Sequence, residues 1–332
     1  MAVVGALAGT GRASGVGAPA PRSGACVVVA DCGEPCFGAA ARDPARQPCE
    51  NPKLALAVVP PPSVAEIDAG AGCPSPQRAA GSPFCSFGPD PALQTFALLG
   101  DSHADEWRAA LGGIAYAFRW RGVAITRAGC PFSVGTVPNL SARLRSGCLA
   151  RNQAIVRWFE SHPNVHVVFV SAHAGARILG PGGHLRFGSE AFGAKAAGYA
   201  AAWRALPRTV RHIVVIRDNP VIESDTLACV RRAIAGRRPA GPACAVGRSH
   251  ALKPDPEVAA ARLAGSTRIQ VVDLSRMFCG DAACFPVIGG VLVYKDTDHI
   301  TSQFSTTLGP FLVRQVERLA ALPSWGSLTT FG

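Results

Sequence analysis

The sequence predicts an α/β protein: a three-layer αβα sandwich around a five-stranded parallel sheet, preceded by an irregular segment pinned by disulfides. Three observations carry this. From Leu93 onward, apolar runs of strand length alternate with stretches of helical periodicity. The intervening stretches are long enough for the crossover helices that parallel neighbours need. The first 92 residues are instead rich in Ala, Gly, Pro and Cys and show little periodicity.

The elements follow in order. "TFALLG" (95–100) reads as a buried strand, and residues 103–119 carry a helical pattern. "GVAIT" (122–126) is a second strand. "LARNQAIVRWFESH" (149–162) is an amphipathic helix with Ile155, Trp158 and Phe159 on one side. "VHVVFVS" (165–171) is a third strand, followed by an Ala-rich helix over 188–206. "RHIVVIRD" (211–218) is a fourth strand, helices follow near 223–235 and 255–265, and "RIQVVDL" (268–274) is a fifth. A last helix runs from about Ser302 to Leu322 and is closed by Pro323. This order is that of a flavodoxin-like sheet, whose sites lie at the carboxyl ends of the strands. Three segments are expected: residues 1–24 disordered, 25–92 a Cys/Pro/Gly-rich lead-in packed on the main domain, and 93–325 the main domain.

Apolar residues make up 48% of the 332, enough for a sizeable core. The net charge of +11 comes almost entirely from Arg, since Lys53, Lys195, Lys253 and Lys295 are the lysines. "RRAIAGRR" (231–238) is the dense cluster, but no aromatic residue interleaves it, so no nucleic-acid partner is expected. The 12 cysteines fall in close pairs: Cys26 and Cys32, Cys36 and Cys49, Cys73 and Cys85, Cys130 and Cys148, Cys229 and Cys244, Cys279 and Cys284. None forms C-x-x-C and no Cys/His set has zinc spacing, so neither a metal site nor a cofactor is expected. Short-range disulfides fit the pairs, with Cys26–Cys32 the weakest, and they require an oxidising, extracytoplasmic compartment. The start, "MAVVGALAGTGRASGVGAPAP", lacks the positive region and apolar core of a signal peptide, and no apolar run is long enough to span a membrane. Two readings stay open: a piece of a longer protein, or export by another route.

Two stretches carry the chemistry. In "ALLGDSHADEW" (97–107) an apolar run ends in Gly100, Asp101, Ser102 and His103, and a helix begins. A sharp strand-to-helix turn exposes the serine Oγ beside free backbone N–H groups, and glycine permits the path. A serine there is by itself only an N-cap; a nucleophile needs a base. In "YKDTDHITSQF" (294–304), His299 stands just before the last helix with Asp296 three residues earlier. An Asp-x-x-His loop lets the carboxylate accept from Nδ1 and leaves Nε2 free to take a serine proton.

Together these stretches resemble the SGNH (GDSL-like) hydrolase family, and more closely the SGNH domains associated with acyltransferase-3 membrane proteins. The resemblance rests on G-D-S-H-A at Gly100–Ala104, on "AGCPF" (128–132), on Cys279 and Cys284 before Tyr294, Asp296 and His299, and on the lead-in "CFGAAARDPARQPC" (36–49). It covers roughly residues 36–322. It implies an SGNH-type fold and a bacterial, periplasmic or cell-surface O-acyl transferase, most simply an O-acetyl transferase, modifying a surface polysaccharide. The implied partners are the glycan acceptor and an acyltransferase-3-type membrane protein that supplies acyl groups. The alternatives are a stand-alone secreted carbohydrate O-acetylesterase and a non-catalytic glycan-binding module.

By the resemblance, Ser102 is the nucleophile, His299 the base and then the acid, and Asp296 the orienting carboxylate. Asp298 is the lesser candidate, because adjacent side chains in an extended loop diverge. The N–H groups of Ser102 and Gly129 form the oxyanion hole. Gly100, Asp101, His103 and His173 support the site, Asp101 by accepting from backbone N–H groups, and His103 by contacting substrate or merely by starting the helix. One block departs from the family: the third strand ends in "SAHAGA" (171–176), with no Asn donor. Ser171 or His173 is left to substitute. "RDNP" (217–220) reads as a strand end and a turn without a catalytic role.

Overall fold

The structure is a computed structural model that describes residues 34–79, 82–135, 137–138, 141–179 and 185–322. The expected disorder over 1–24, the Cys26–Cys32 pair and the closing Pro323 lie outside the described residues.

Seven strands form the central sheet: β1 (Ser75–Ala79), β2 (Ser82–Phe87), β3 (Gln94–Gly100), β4 (Trp120–Thr126), β5 (Val165–Ser171), β6 (His212–Ile216) and β7 (Ile269–Val272). Their order across the sheet is β1-β2-β4-β3-β5-β6-β7. Strands β3 to β7 are parallel and wind outward in both directions from β3. The switch in direction falls between β3 and β5, and such a switch opens a crevice at the carboxyl ends.

The five expected strands are therefore present, but the sheet is larger. The lead-in adds the antiparallel hairpin β1–β2 at the edge, with Cys85 of β2 opposite Ala124 of β4. Pro76 and Pro83 belong to this hairpin, in keeping with the tolerance of edge strands for proline.

Seven helices matter for the site: α1 (Ser102–Asp105), α2 (Arg108–Phe118), α3 (Ala142–Ser161), α4 (Gly188–Ala205), α5 (Thr226–Ala235), α6 (Pro256–Ala264) and α7 (Ser302–Ala320). Two expectations need correction. The helix over 103–119 is two helices, broken at Glu106 and Trp107. Ser305 Oγ donates to the Glu106 carbonyl at 2.6 Å, so that oxygen is satisfied from α7 at the break. Helix α3 begins at Ala142, seven residues earlier than the apolar stripe suggests, because Ser141 caps it through a bond from the Leu144 N–H.

Side chains of β3 alternate between the two faces. Phe96 and Leu98 pack with Ile114 of α2 and Phe304 and Leu308 of α7. Ala97 and Leu99 pack with Ile155 and Phe159 of α3 and Trp203 of α4. All of these are buried, and each large one contributes about 1.5–3 kcal/mol. Helices α2 and α7 meet closely where Gly113 faces Gly309; a Cβ on Gly113 would lie 3.2 Å from the Gly309 Cα. Among the described residues, five disulfides join Cys36–Cys49, Cys73–Cys85, Cys130–Cys148, Cys229–Cys244 and Cys279–Cys284.

Candidate active site

Strand β3 delivers Ser102 to the crevice through a turn only glycine can make. Gly100 has φ +148°, and a Cβ there would overlap the carbonyl oxygen of Ser171 at the end of β5. Asp101 then caps α1: Oδ1 accepts from the His103 N–H at 2.9 Å, and Oδ2 from the His173 N–H at 3.2 Å. One buried carboxyl thus ties the serine turn to the loop after β5.

The turn after β4 forms the facing wall. The Arg127 N–H donates to the Gly100 carbonyl (3.2 Å) and the Cys130 N–H to the Arg127 carbonyl (2.9 Å), with Gly129 between them at φ +66°. Helix α3 holds this turn from behind. Cys130 is bridged to Cys148, Arg151 donates to the Ile125 carbonyl at 2.6 Å, and Asn152 donates to the carbonyls of Pro131 and Ser133 at 2.8 and 2.9 Å. A cavity of about 430 Å³ opens between the walls, lined by Ser102, Gly129, Pro131, Val137, His173 and Arg177 among others.

His299 comes from the loop closed by the Tyr294–Ile300 bridge, just before α7. Its Nε2 lies 2.9 Å from Ser102 Oγ. Asp296 Oδ1 accepts from the N–H groups of Asp298 (3.0 Å) and His299 (2.7 Å), which curls the loop. That curl corrects the expectation for Asp298. The loop is not extended, so the side chains do not diverge: Nδ1 meets Asp296 Oδ2 at 2.9 Å and Asp298 Oδ1 at 3.1 Å. Hydrogen bonds to Asp296 and then Asp298 push the His299 imidazole up to about 9. Burial raises the Asp296 carboxyl, but the bonds it accepts from His299 and the loop outweigh this and hold it well below the usual carboxylate range. The bond from His299 likewise lowers Asp298.

His103 does not face the cavity. Its side chain is 1% exposed, and Nδ1 is 2.7 Å from Asp218 Oδ1. "RDNP" is the strand end and turn that the sequence suggests, and it also packs against the site. Asp218 is buried, and its Oδ2 accepts from the Ala174 N–H at 2.8 Å. Asn219 donates to the Asp298 carbonyl at 2.7 Å, so the turn after β6 supports the histidine loop. The sequence clue was an acidic residue at a strand's carboxyl end in this type of sheet. Glu106 was also unforeseen: its Oε2 accepts from the Ile300 N–H at 2.8 Å, next to His299, and burial pushes its carboxyl up to about 8. Of the two proposed substitutes for the missing Asn, His173 lines the cavity, whereas Ser171 is fully buried with its hydroxyl unpartnered among the described residues.

Among the described residues, three sets of side chains bring metal-ligating atoms within 4.8 Å of one another: His103, His173 and Asp298; His103, Glu106 and Asp218; Asp296, Asp298 and His299. Each set is already engaged in the histidine–carboxylate pairs just described.

No curated protein sequence matches this chain. Among solved structures, the periplasmic domain of a lipopolysaccharide acetyltransferase of Salmonella ser. Paratyphi A aligns with a TM-score of 0.49, covering 68% of this chain and 84% of its own, at 11% identity. A family model described as the SGNH domain fused to AT3 domains matches residues 72–314. That span contains β3 to β7 and every residue of the Ser102–His299 site, and the chain belongs to this family of SGNH domains.

Proposed function

We propose that this chain is an extracytoplasmic O-acyl transferase domain that moves an acyl group, acetyl in our reading, onto a hydroxyl of a cell-surface glycan. The observation that carries this is the 2.9 Å contact between His299 Nε2 and Ser102 Oγ, with Asp296 and Asp298 both at Nδ1. Membership in a family fused to AT3 domains supports an acyl donor presented by a membrane protein. The five disulfides support an oxidising compartment.

Neutral His299 takes the Ser102 proton on Nε2 as Oγ attacks the acyl carbonyl carbon. The carbonyl oxygen becomes an oxyanion, which the N–H groups of Ser102 and Gly129 stabilise. Loss of one such donor typically costs ~10²–10³ in rate. The carbon–oxygen bond to the donor breaks, and the leaving oxygen takes the proton back from Nε2. An acyl-Ser102 ester remains. The glycan hydroxyl then gives its proton to Nε2 and attacks the ester, and Ser102 Oγ leaves with that proton. Water in place of the glycan hydroxyl turns the same cycle into ester hydrolysis.

The test is turnover of an aryl acetate by the purified chain, with and without a glycan acceptor. Acetylated sugar formed at the expense of free acetate supports the transferase. Acetate release that ignores the acceptor replaces it with a carbohydrate esterase. Glycan binding without turnover, unchanged in Ser102→Ala, leaves a binding module.

A further inference from the structure

His103 follows the nucleophile directly, yet it touches neither cavity nor solvent. Charged and titratable groups surround it from every neighbouring element. Asp101 stands at the turn after β3, and Asp218, after β6, is 2.7 Å from Nδ1. Glu106, after α1, has Oε1 at 3.9 Å from Nδ1, and that oxygen has no hydrogen-bond partner among the described residues. Asp255 and Glu257, at the start of α6, stand behind Asp218, whose N–H donates to Asp255 at 2.8 Å. Buried Tyr294 feels the charge of Glu106. Two imidazoles lie against the His103 ring. His173 stacks on it at 4.3 Å with planes 2° apart, and His299 is 4.6 Å away, tilted by 45°. Asp298 is 3.5 Å from His173 Nε2 and so faces the same group of rings.

Burial works against a charged ring, but the pairing with Asp218, reinforced by Glu106 and Asp101, holds His103 well above the usual histidine range. Its charge in turn works against a second charge on His299. We propose that His103, kept as a buried cation by Asp218, is a positioning residue for the reaction of Ser102. It opposes the positive charge that His299 acquires with the serine proton, and so favours passing that proton to the leaving group. Asp218 also holds the loop after β5 through the Ala174 N–H, and its neighbour Asn219 holds the histidine loop through the Asp298 carbonyl. The proposal rests on the Ser102–His299 reading above.

The experiment compares the pH dependence of kcat/KM for an aryl acetate in wild type, His103→Gln and the double variant His103→Gln/Asp218→Asn. Removing the cation makes His299 hold its proton more tightly, so the acid limb of His103→Gln moves to higher pH. The loss is roughly tenfold at pH values below the limb for each unit of movement, and it shrinks above it. Adding Asp218→Asn removes the uncompensated carboxylate, so the limb moves part of the way back. A rate loss in His103→Gln that is equal at every pH means a structural role only and overturns the proposal. Nitrogen-15 NMR of the wild-type imidazoles needs neither folding of a variant nor turnover. His103 is expected to keep both ring nitrogens protonated at pH values where an ordinary histidine is already neutral, and a ring that loses its proton in the ordinary histidine range overturns the proposal. If Ser102→Ala retains turnover while His103 reads as charged, the Ser102 assignment fails and, with it, the role assigned here.

Discussion

Asp298 approaches Nδ1 of His299 to within 3.1 Å, almost as closely as Asp296 does at 2.9 Å. Two carboxylates therefore share one imidazole N–H. Either can keep the ring in the orientation that aims Nε2 at Ser102. Removing both carboxylates is expected to cost on the order of 10⁴ in kcat, as loss of a triad carboxylate does elsewhere. Asp296→Asn and Asp298→Asn singly are expected to cost far less, because the partner remains. Asp296 is the more damaging of the two, since it also accepts the N–H groups that curl the loop. Steady-state kinetics on the three variants check this. A full loss in Asp296→Asn with a silent Asp298→Asn would falsify the sharing.

The same two bonds set the pH dependence. His299 is pushed up to about 9, and only its neutral form can accept the Ser102 proton. Turnover is therefore expected to rise about tenfold per pH unit below that value and to flatten above it. Asp296→Asn removes the largest cause of the raised value, so its limb moves to lower pH, opposite to the movement expected for His103→Gln. For stability the sign is reversed. A histidine raised on folding stabilises fully below its unfolded value near 6.5, and that contribution is lost as pH rises through about 9. Thermal melts across this window, compared with His299→Gln, measure it.

What could be read from the sequence follows from how locally each feature is encoded. Strands β3, β5 and β6 are near-continuous apolar runs, because helices cover both their faces, and such runs are visible without a partner. The hairpin β1–β2 was invisible for the converse reason. "SPQRA" and "SPFCSF" carry prolines and polar residues, and only pairing with β4 across the sheet makes them strands. Ser102 and His299 could be singled out as candidates because each sits in a short motif. Asp218 did not, since a polar residue after a strand is what any turn contains. Its meaning comes from His103, 115 residues earlier. Asp298 was undervalued because the curl that brings it to His299 is made by Asp296 and not by anything in its own identity.

Gly100 is expected to tolerate no side chain. Its φ of +148° is costly for an L-residue, on the order of 1–3 kcal/mol, before any contact is considered. A Cβ would also press on the Ser171 carbonyl and on Ala104. Both neighbours belong to the elements that place Ser102 and His173. Gly100→Ala is expected to lower Tm and to abolish turnover even at temperatures where the variant stays folded. Wild-type kcat in a folded Gly100→Ala protein, with folding checked by circular dichroism, would mean that this turn does not set the position of Ser102.

The disulfides are expected to divide by what they hold. Cys130–Cys148 and Cys229–Cys244 have similar sequence separations, 18 and 15 residues. Chain entropy therefore gives them similar weights, about 2–4 kcal/mol each. Their positions differ. Cys130 follows Gly129 and pins the cavity wall to α3, whereas Cys229–Cys244 joins α5 to the segment after it, in a separate apolar cluster with Val230 and Leu292. Replacing either pair by alanines is expected to lower Tm by comparable amounts. The Cys130/Cys148 variant alone is expected to lose kcat as well, because the proposed mechanism needs the Gly129 N–H fixed over the carbonyl oxygen. Turnover assays well below both melting temperatures separate the two effects. Equal losses of kcat in the two variants would mean that Gly129 takes no part in holding the oxyanion.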